Sequence, residues 1–308
     1  MACIAQVRHL TKRFDSLTVV DDLSFSVEDG DVYGFLGQNG AGKSTTLRIL
    51  LSLIRPTSGS VELFGMDLAK HRKDILRRVG AVIESPDLYP FFSGLENLDI
   101  FARLSGAGHS RTTLLQQLDL VGLAGRADDK VGTYSMGMKQ RLGLAVALVG
   151  DPTLMILDEP TNGLDPQGIA DIRNLILHLS RERGKTLIVS SHLLAEVQLI
   201  ATRMLIIDRG RKVVEGAVGD LLNPADTLVL LETEDDAAAR AYLQTGTWAA
   251  SLEKENLMLR IDRRRVPQLN ADLVSAGIRV TRLEPRHSLE DYFLRLTTSA
   301  QHVAPFAH

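Results

Sequence analysis

Residues 37–44 read GQNGAGKS and satisfy G-x-x-x-x-G-K-[ST] at every specified position. The apolar segment VYGFL precedes them, and a helical run follows with apolar residues at Leu47, Leu50, Leu51 and Ile54. Strand, glycine-rich loop and helix together are the context in which this pattern binds phosphate. Gly37, Gly40 and Gly42 let backbone N–H groups approach phosphate oxygens without obstruction, and the helix N-terminus adds partial positive charge. Lys43 can reach β and γ phosphates, and Ser44 can ligate Mg²⁺. A plain glycine-rich turn before a helix leaves Lys43 and Ser44 unexplained.

The rest of the composition sets bounds. A chain of 308 residues allows two domains or one with an appendage, and its net charge of −3 supplies no basic field for nucleic acid. The single cysteine, Cys3, excludes a disulfide framework and fits a reducing compartment. The N-terminus MACIAQVRHLTKRF lacks the apolar core and cleavage site of a signal peptide. No apolar run approaches the roughly 20 residues that span a bilayer. The expectation is a cytoplasmic protein that reaches a membrane only through a partner.

Along the chain, residues 1–36 read as β-rich, with two short strands around the turn Asp29-Gly30. SVELFGMDL and RRVGAVIES read as further strands. From about 88 to 150 the pattern is helical: Ser93 and Glu96 make a capping-box pair before LENLDIFARLSG, and TTLLQQLDLVGL and SMGMKQRLGLAVALVG follow. Strands and helices then alternate through TLMILDE, the helix after Asp165-Pro166, KTLIVSS, LLAEVQLI and RMLIIDRGRKVVEG. That alternation predicts an α/β domain with a largely parallel sheet. After about residue 217 a small α+β appendage is expected, with strands TLVLLETED, LMLRID and IRVTRLEP and helices AAARAYLQT, VPQLNADLVSAG and SLEDYFLRL. The last residues, 297–308, read as a mobile tail.

Further chemistry sits at strand ends. LMILDEP, 154–160, is an apolar strand closing on two carboxylates, which a buried strand does not carry without partners. Asp158 suits a Mg²⁺-directed carboxylate, and Glu159 is then free to orient or deprotonate an attacking water. A solvated strand end is the plainer alternative. His192 follows the strand IVSS. Such a histidine is commonly structural, but strand ends of a parallel sheet gather at the ligand-binding edge, which makes it a candidate γ-phosphate contact. Asp165 and Pro166 suffice as a helix start. In YSMGMKQRLGLA, 134–145, Ser135 can cap a helix whose first turn contains Gly137, although glycine there costs about 1 kcal/mol relative to alanine.

The ordered set of phosphate loop, YSMGMKQR, LMILDEP, GLDP and SSH resembles the ATP-binding subunit of ABC transporters over about residues 4–217. The resemblance implies a P-loop NTPase of ABC type. Its parts would be an N-terminal antiparallel β subdomain, an inserted helical subdomain at about 88–150 and a C-terminal α+β accessory domain at 218–296. It implies ATP contacts at Gly37, Asn39, Gly40, Ala41, Gly42, Lys43, Ser44 and Thr45. Phe14 would stack on adenine, the alternative being a core strand aromatic. Lys43, Glu159 and His192 would be catalytic, and Ser44 and Asp158 would serve the metal. In that family two nucleotide-binding domains sandwich ATP, so Ser135 and Gly137 would face the γ-phosphate held by the opposite copy. Asp165 would lie in the loop joining the two sites. The usual signature L-S-G-G-Q is here Y-S-M-G-M: Ser135 and Gly137 match, Met136 and Met138 do not. Glu84 stands where the family's metal-sensing glutamine is expected, and the resemblance implies that it retains the metal-sensing role, as a third metal residue beside Ser44 and Asp158. IESPDLYPFFSGLENL and the C-terminal SLEDYFLRLT look like the bacitracin- and lantibiotic-resistance-type exporter group, in which Glu at this point is usual.

The partners implied are a second nucleotide-binding subunit, a homodimer being the expected form, and a separate multi-span permease touching the region Glu84–Glu96 at the cytoplasmic face. No nucleic-acid partner is expected. A soluble ABC-type ATPase acting on nucleic acid or ribosomes is the alternative; the single nucleotide domain, without long coiled-coil insertions, argues against it. The cluster Arg260, Arg263, Arg264 and Arg265 reads as a solvated face. An ATP-dependent sensor is opposed by the presence of Glu159 and His192.

Overall fold

The computed structural model describes residues 2–84, 86–106, 108–222, 227–252 and 257–287. The chain divides into two compact units, Met1–Ala217 and Val218–His308. The expected helix SLEDYFLRL and the tail 297–308 lie outside the described residues.

In the first unit, β1 (Cys3–Phe14) and β2 (Leu17–Glu28) form a long antiparallel hairpin. The chain turns at Gly30, φ 83°, and then leaves this sheet. β3 (Val32–Leu36) is buried at every residue, as an interior parallel strand must be, whereas Leu23, Phe25 and Val27 of β2 alternate with half-covered serines. The two strands predicted around Asp29-Gly30 therefore belong to different sheets.

α1 (Lys43–Leu50) follows β3 and buries Leu47, Ile49 and Leu50. It stops earlier than the apolar spacing to Ile54 predicts, because Ser52 enters the left-handed region at φ 54°. β4 (Ser58–Leu63) and β5 (Met66–Asp67) extend the first sheet to the order β2-β1-β4-β5. α2 (Arg72–Leu76) leads to β6 (Val79–Val82).

A helical insertion follows: α3 (Gly94–Leu104), α4 (Arg111–Leu120) and α5 (Met136–Leu148). The predicted capping box is present at α3: Glu96 N–H donates to Ser93 Oγ at 3.2 Å, and Ser93 N–H donates to Glu96 Oε2 at 2.7 Å. Buried Asn97 ties down the preceding loop, donating to Tyr89 O and Ser93 O and accepting from Tyr89 N–H.

The chain then supplies β7 (Leu154–Leu157), α6 (Pro166–Arg181), β8 (Thr186–Ser191), α7 (Leu194–Val197), β9 (Arg203–Asp208) and β10 (Arg211–Ala217). The second sheet has the order β10-β9-β3-β8-β7-β6. Its strands are parallel apart from β10, which pairs antiparallel with β9. One core cluster joins α3, α4, α5 and α6 to this sheet, and another fills the space between the two sheets and α1. The Tyr33 hydroxyl donates to Glu215 Oε1 at 2.8 Å, fastening β3 to β10. Burial and the adjacent Glu215 carboxylate push this hydroxyl well above its ordinary pKa, so it remains a donor.

In the second unit, α8 (Val218–Leu221) precedes β11 (Thr227–Thr233), α9 (Asp236–Thr245), β12 (Met258–Ile261), α10 (Val266–Ser275) and β13 (Val280–His287). The strands form an antiparallel sheet, β12-β11-β13. Val229, Leu231, Leu259 and Ile261 pack with α9, α10 and Trp248. The Trp248 indole N–H donates to Asp272 at 3.0 Å, and the Arg265 guanidinium stacks 4.5 Å from its ring centroid. One arginine of the basic cluster is thus committed to packing. Among the described residues no helix is long and apolar enough to cross a membrane.

Trp248 is the chain's single tryptophan, so its fluorescence reports unfolding of the second unit. Leu259 is 0% exposed. Leu259→Ala should destabilise this unit by about 2–5 kcal/mol, read as a lower urea midpoint of the Trp248 signal.

Candidate active site

Because β3, β8, β7 and β6 are parallel neighbours, their C-terminal ends share one edge, where α/β sheets bind ligands. Register brings the loops after them together: Leu36 pairs with Ser191, Leu157 with Val189, and Val82 with Leu157. Gly37 N–H donates to Ser191 O, and Asp158 N–H donates to Val82 O.

The glycine-rich loop rises from β3 and ends at Gly42, the N-cap of α1. Its glycines have different reasons. Gly40, φ 82°, sits in open space and needs only its backbone conformation. A Cβ on Gly37 would stand 2.7 Å from Ile207 O, and one on Gly42, φ 103°, would stand 2.7 Å from Val19 O. Packing of the chain on itself therefore demands two of the three glycines before any phosphate is considered. Asn39 is exposed, Ala41 is buried, and Ser44 and Thr45 are half-buried in the first turn of α1.

Lys43 is 5% exposed. Its ammonium donates to Gly37 O at 2.6 Å and Gln38 O at 3.3 Å, and stands 3.1 Å from Glu159 Oε1. The other oxygen of Glu159 is 2.8 Å from His192 Nδ1. A carboxylate only accepts, so Nδ1 carries the ring proton in this bond. The structure thus brings Lys43, Glu159 and His192 into one chain of contacts. Glu159 holds a left-handed backbone at φ 49°, a conformation that costs a non-glycine residue about 1–3 kcal/mol.

Asp158 is 1% exposed. Its Oδ1 accepts from Ser190, while Oδ2 is buried with no hydrogen-bond partner among the described residues. The donor set fits Mg²⁺: the Ser44 hydroxyl and the Asp158 carboxylate are hard oxygens that leave most of an octahedral shell to phosphate and water.

Sequence reasoning missed Ser190, although two serines closing an apolar strand were the signal available. It also missed Gln38, whose buried Nε2 has no partner among the described residues. A further bridge parallels the first: Thr161 donates to Glu196 Oε2 at 2.5 Å, joining the segment after β7 to α7.

The remaining candidates lie outside this cluster. Phe14 is 45% exposed with the Lys12 ammonium 4.7 Å from its ring centroid, so it is not a core aromatic. Its hairpin tip adjoins the phosphate loop, since Val19 and Val20 of β2 contact Gly42. Glu84 carries a left-handed backbone at φ 60°, and its carboxylate is paired with Arg48 of α1. Asp165 caps α6, accepting from Gly168 N–H at 3.0 Å with Pro166 at the first helical position. Ser135 caps α5, accepting from Met138 N–H at 3.3 Å. Among the described residues, nothing lies within 4 Å of where a Cβ on Gly137 would stand. Met136 is 62% exposed, and its sulfur would lie 3.1 Å from a Cβ on Gly163, placing the start of α5 against the loop that leads into α6.

A phosphate loop with buried lysine, a strand-end carboxylate pair and a histidine just past the neighbouring strand define a nucleoside triphosphatase. Residues 20–162 match the ABC transporter family, and residues 130–197 match a family described as AAA domain, putative AbiEii toxin, Type IV TA system. The bacitracin transport ATP-binding protein BcrA of Bacillus licheniformis is 40% identical over 300 residues, covering 96% of this chain and 98% of that protein. The Nod factor export ATP-binding protein I of Burkholderia thailandensis is 39% identical over 299 residues, covering 94% and 95%. The dimeric post-hydrolysis structure of the ATP-binding cassette MJ0796 bound to ADP and Pi superposes with TM-score 0.64 at 25% identity, covering 70% of this chain and 99% of that one. The chain belongs to the ATP-binding proteins of ABC transporters. It is an ABC-type ATPase that uses ATP with Mg²⁺.

Gly42→Ala separates the two reasons for a loop glycine. Strain at φ 103° and the contact with Val19 O should destabilise the nucleotide-free chain by about 1–3 kcal/mol, read by thermal melting. A glycine needed only for phosphate approach would leave that melting temperature unchanged.

Proposed function

We propose that this chain dimerises on ATP and that closure and hydrolysis power a separate multi-span permease exporting a drug, antibiotic or peptide. The observation that supports this reading is that one chain carries two helix starts whose residues suit an anion. One, at Lys43, stands with the carboxylates and His192. The other, at Ser135, is exposed and contains a glycine with open space around it. Among the described residues nothing packs against Gly137 to offset the roughly 1 kcal/mol that glycine costs there. A γ-phosphate held by a second copy would explain both the glycine and the free approach to Ser135.

Within one site, Lys43 binds and orients the β and γ phosphates, and Phe14 stacks on the adenine. The Ser44 hydroxyl and Asp158 would hold Mg²⁺, which supplies charge neutralisation on the triphosphate. Glu159 accepts a proton from the attacking water, and its link to His192 fixes the carboxylate's direction. An arriving triphosphate competes with Glu159 for the Lys43 ammonium, so nucleotide binding and the setting of the base are coupled. Glu84 could serve the metal only by leaving Arg48.

The segment after β6 supports the permease contact. Phe91 is 83% exposed, with Tyr89 and Phe92 also exposed, on a loop fixed by Asn97 and the capping box. Beside it runs a groove of about 410 Å³ lined by Leu51, Leu53, Leu76, Ile83, Leu88 and Phe101. Exposed aromatics beside an apolar groove suit a docked helix. The relatives' names agree on the ATP-binding role and differ on cargo, which fits a subunit whose site touches only nucleotide. In this reading the chain works at the cytoplasmic face of the membrane.

Glu159→Gln should lower ATP turnover by about 10²–10⁴-fold and, with Mg-ATP, convert the monomer to a dimer in light scattering. Purified in that state from gently solubilised native membranes, it should carry a stoichiometric multi-span protein. A ribosomal or nucleic-acid retinue without a membrane protein would sink the transport reading.

A further inference from the structure

We propose that Ser190 is a positioning residue that sets both site carboxylates at once. It lies near the end of β8 and is 0% exposed. Its oxygen accepts the Glu159 N–H at 2.9 Å and its proton goes to Asp158 Oδ1. The polarity is fixed, because an ionised carboxylate cannot donate and a backbone N–H cannot accept. One hydroxyl therefore satisfies two neighbouring residues in opposite senses.

Both bonds bear on the chemistry. Tying Oδ1 leaves Oδ2 as the free, buried oxygen of Asp158, so the rotamer that presents one oxygen to a metal is held from behind. Such outer partners orient metal-binding carboxylates and tune their affinity. Holding the Glu159 N–H stabilises a backbone at φ 49° that the residue would otherwise abandon. That backbone aims the Glu159 side chain between Lys43 and His192. Ser190 thus acts through the two carboxylate residues it holds. The assignment rests on the reading of Asp158 as the metal-directed carboxylate.

A small cavity of about 50 Å³ is lined by Pro160, Thr161, Ile176, Val189 and Ser190. Ser190→Thr and Ser190→Val both add a methyl group, and only threonine keeps the hydroxyl. In the full chain, a fluorescent non-hydrolysable ATP analogue is titrated with Mg²⁺ and, separately, in excess chelator, and ATP turnover is measured alongside. S190V should raise the Mg²⁺ concentration needed for half-maximal enhancement of binding by about tenfold and lower kcat by about tenfold, with little change in KM for ATP. S190T should follow the wild type, and binding in chelator should be the same for all three. Ser190→Ala, which adds no atom, supplies the comparison if the valine chain does not fold. The proposal is overturned if S190V matches S190T in Mg²⁺ response and kcat, or if binding in chelator falls equally with S190V. A wild type whose binding ignores Mg²⁺ would overturn the metal reading of Asp158, and this proposal with it.

Discussion

A buried ammonium must find partners, and Lys43 has three: hydrogen bonds to two carbonyls of its own loop and an ion pair with the Glu159 carboxylate. That requirement organises the centre of the first unit. It draws Glu159 inward, His192 then follows Glu159, and the ends of β3, β7 and β8 are fastened across one edge of the sheet. The arrangement is available only because these strands are parallel and adjacent. With antiparallel neighbours, alternate strand ends would lie at opposite edges and the three groups could not meet.

Much of this was written locally in the chain. The phosphate loop carries its own signature, and short-range hydrogen bonds set the Ser93–Glu96 box and the caps at Ser135 and Asp165. Such features depend on residues three or four apart, so a linear reading reaches them. The sheet assignment of β2 and β3 was less legible, since a turn at Asp29-Gly30 serves either one sheet or a crossing between two. The reasons for Gly37 and Gly42 were also hidden: the carbonyls they avoid belong to Ile207 and Val19, distant in sequence. The same holds for Ser190, which meets its partners only after β7 and β8 align. The left-handed backbones of Glu84 and Glu159 have no residue-type signal, because glutamate is not a residue that favours that region.

The two units differ in how they use polar groups. In the first, two of the buried charges, Lys43 and Asp158, stand at the candidate site, and a third, Asp31, ties the start of β3 to Thr202 and Arg203. In the second, the charged residues that contact the core serve packing, as Arg265 does over Trp248 and Asp272 does for the indole. Identity to relatives nevertheless extends over nearly the whole chain, at 40% for the Bacillus licheniformis protein, so the second unit belongs to the shared architecture.

The paired bridges Glu159–His192 and Thr161–Glu196 have a mechanical meaning. A single bridge between two segments is a pivot, about which either can swing. Two bridges spaced along the same pair of segments make a clamp, and swinging about one must stretch the other. The chain after β7 and the chain after β8 are therefore geared together. A displacement of the chain after β7 meets two hydrogen bonds to the chain after β8 where a single bridge would offer one.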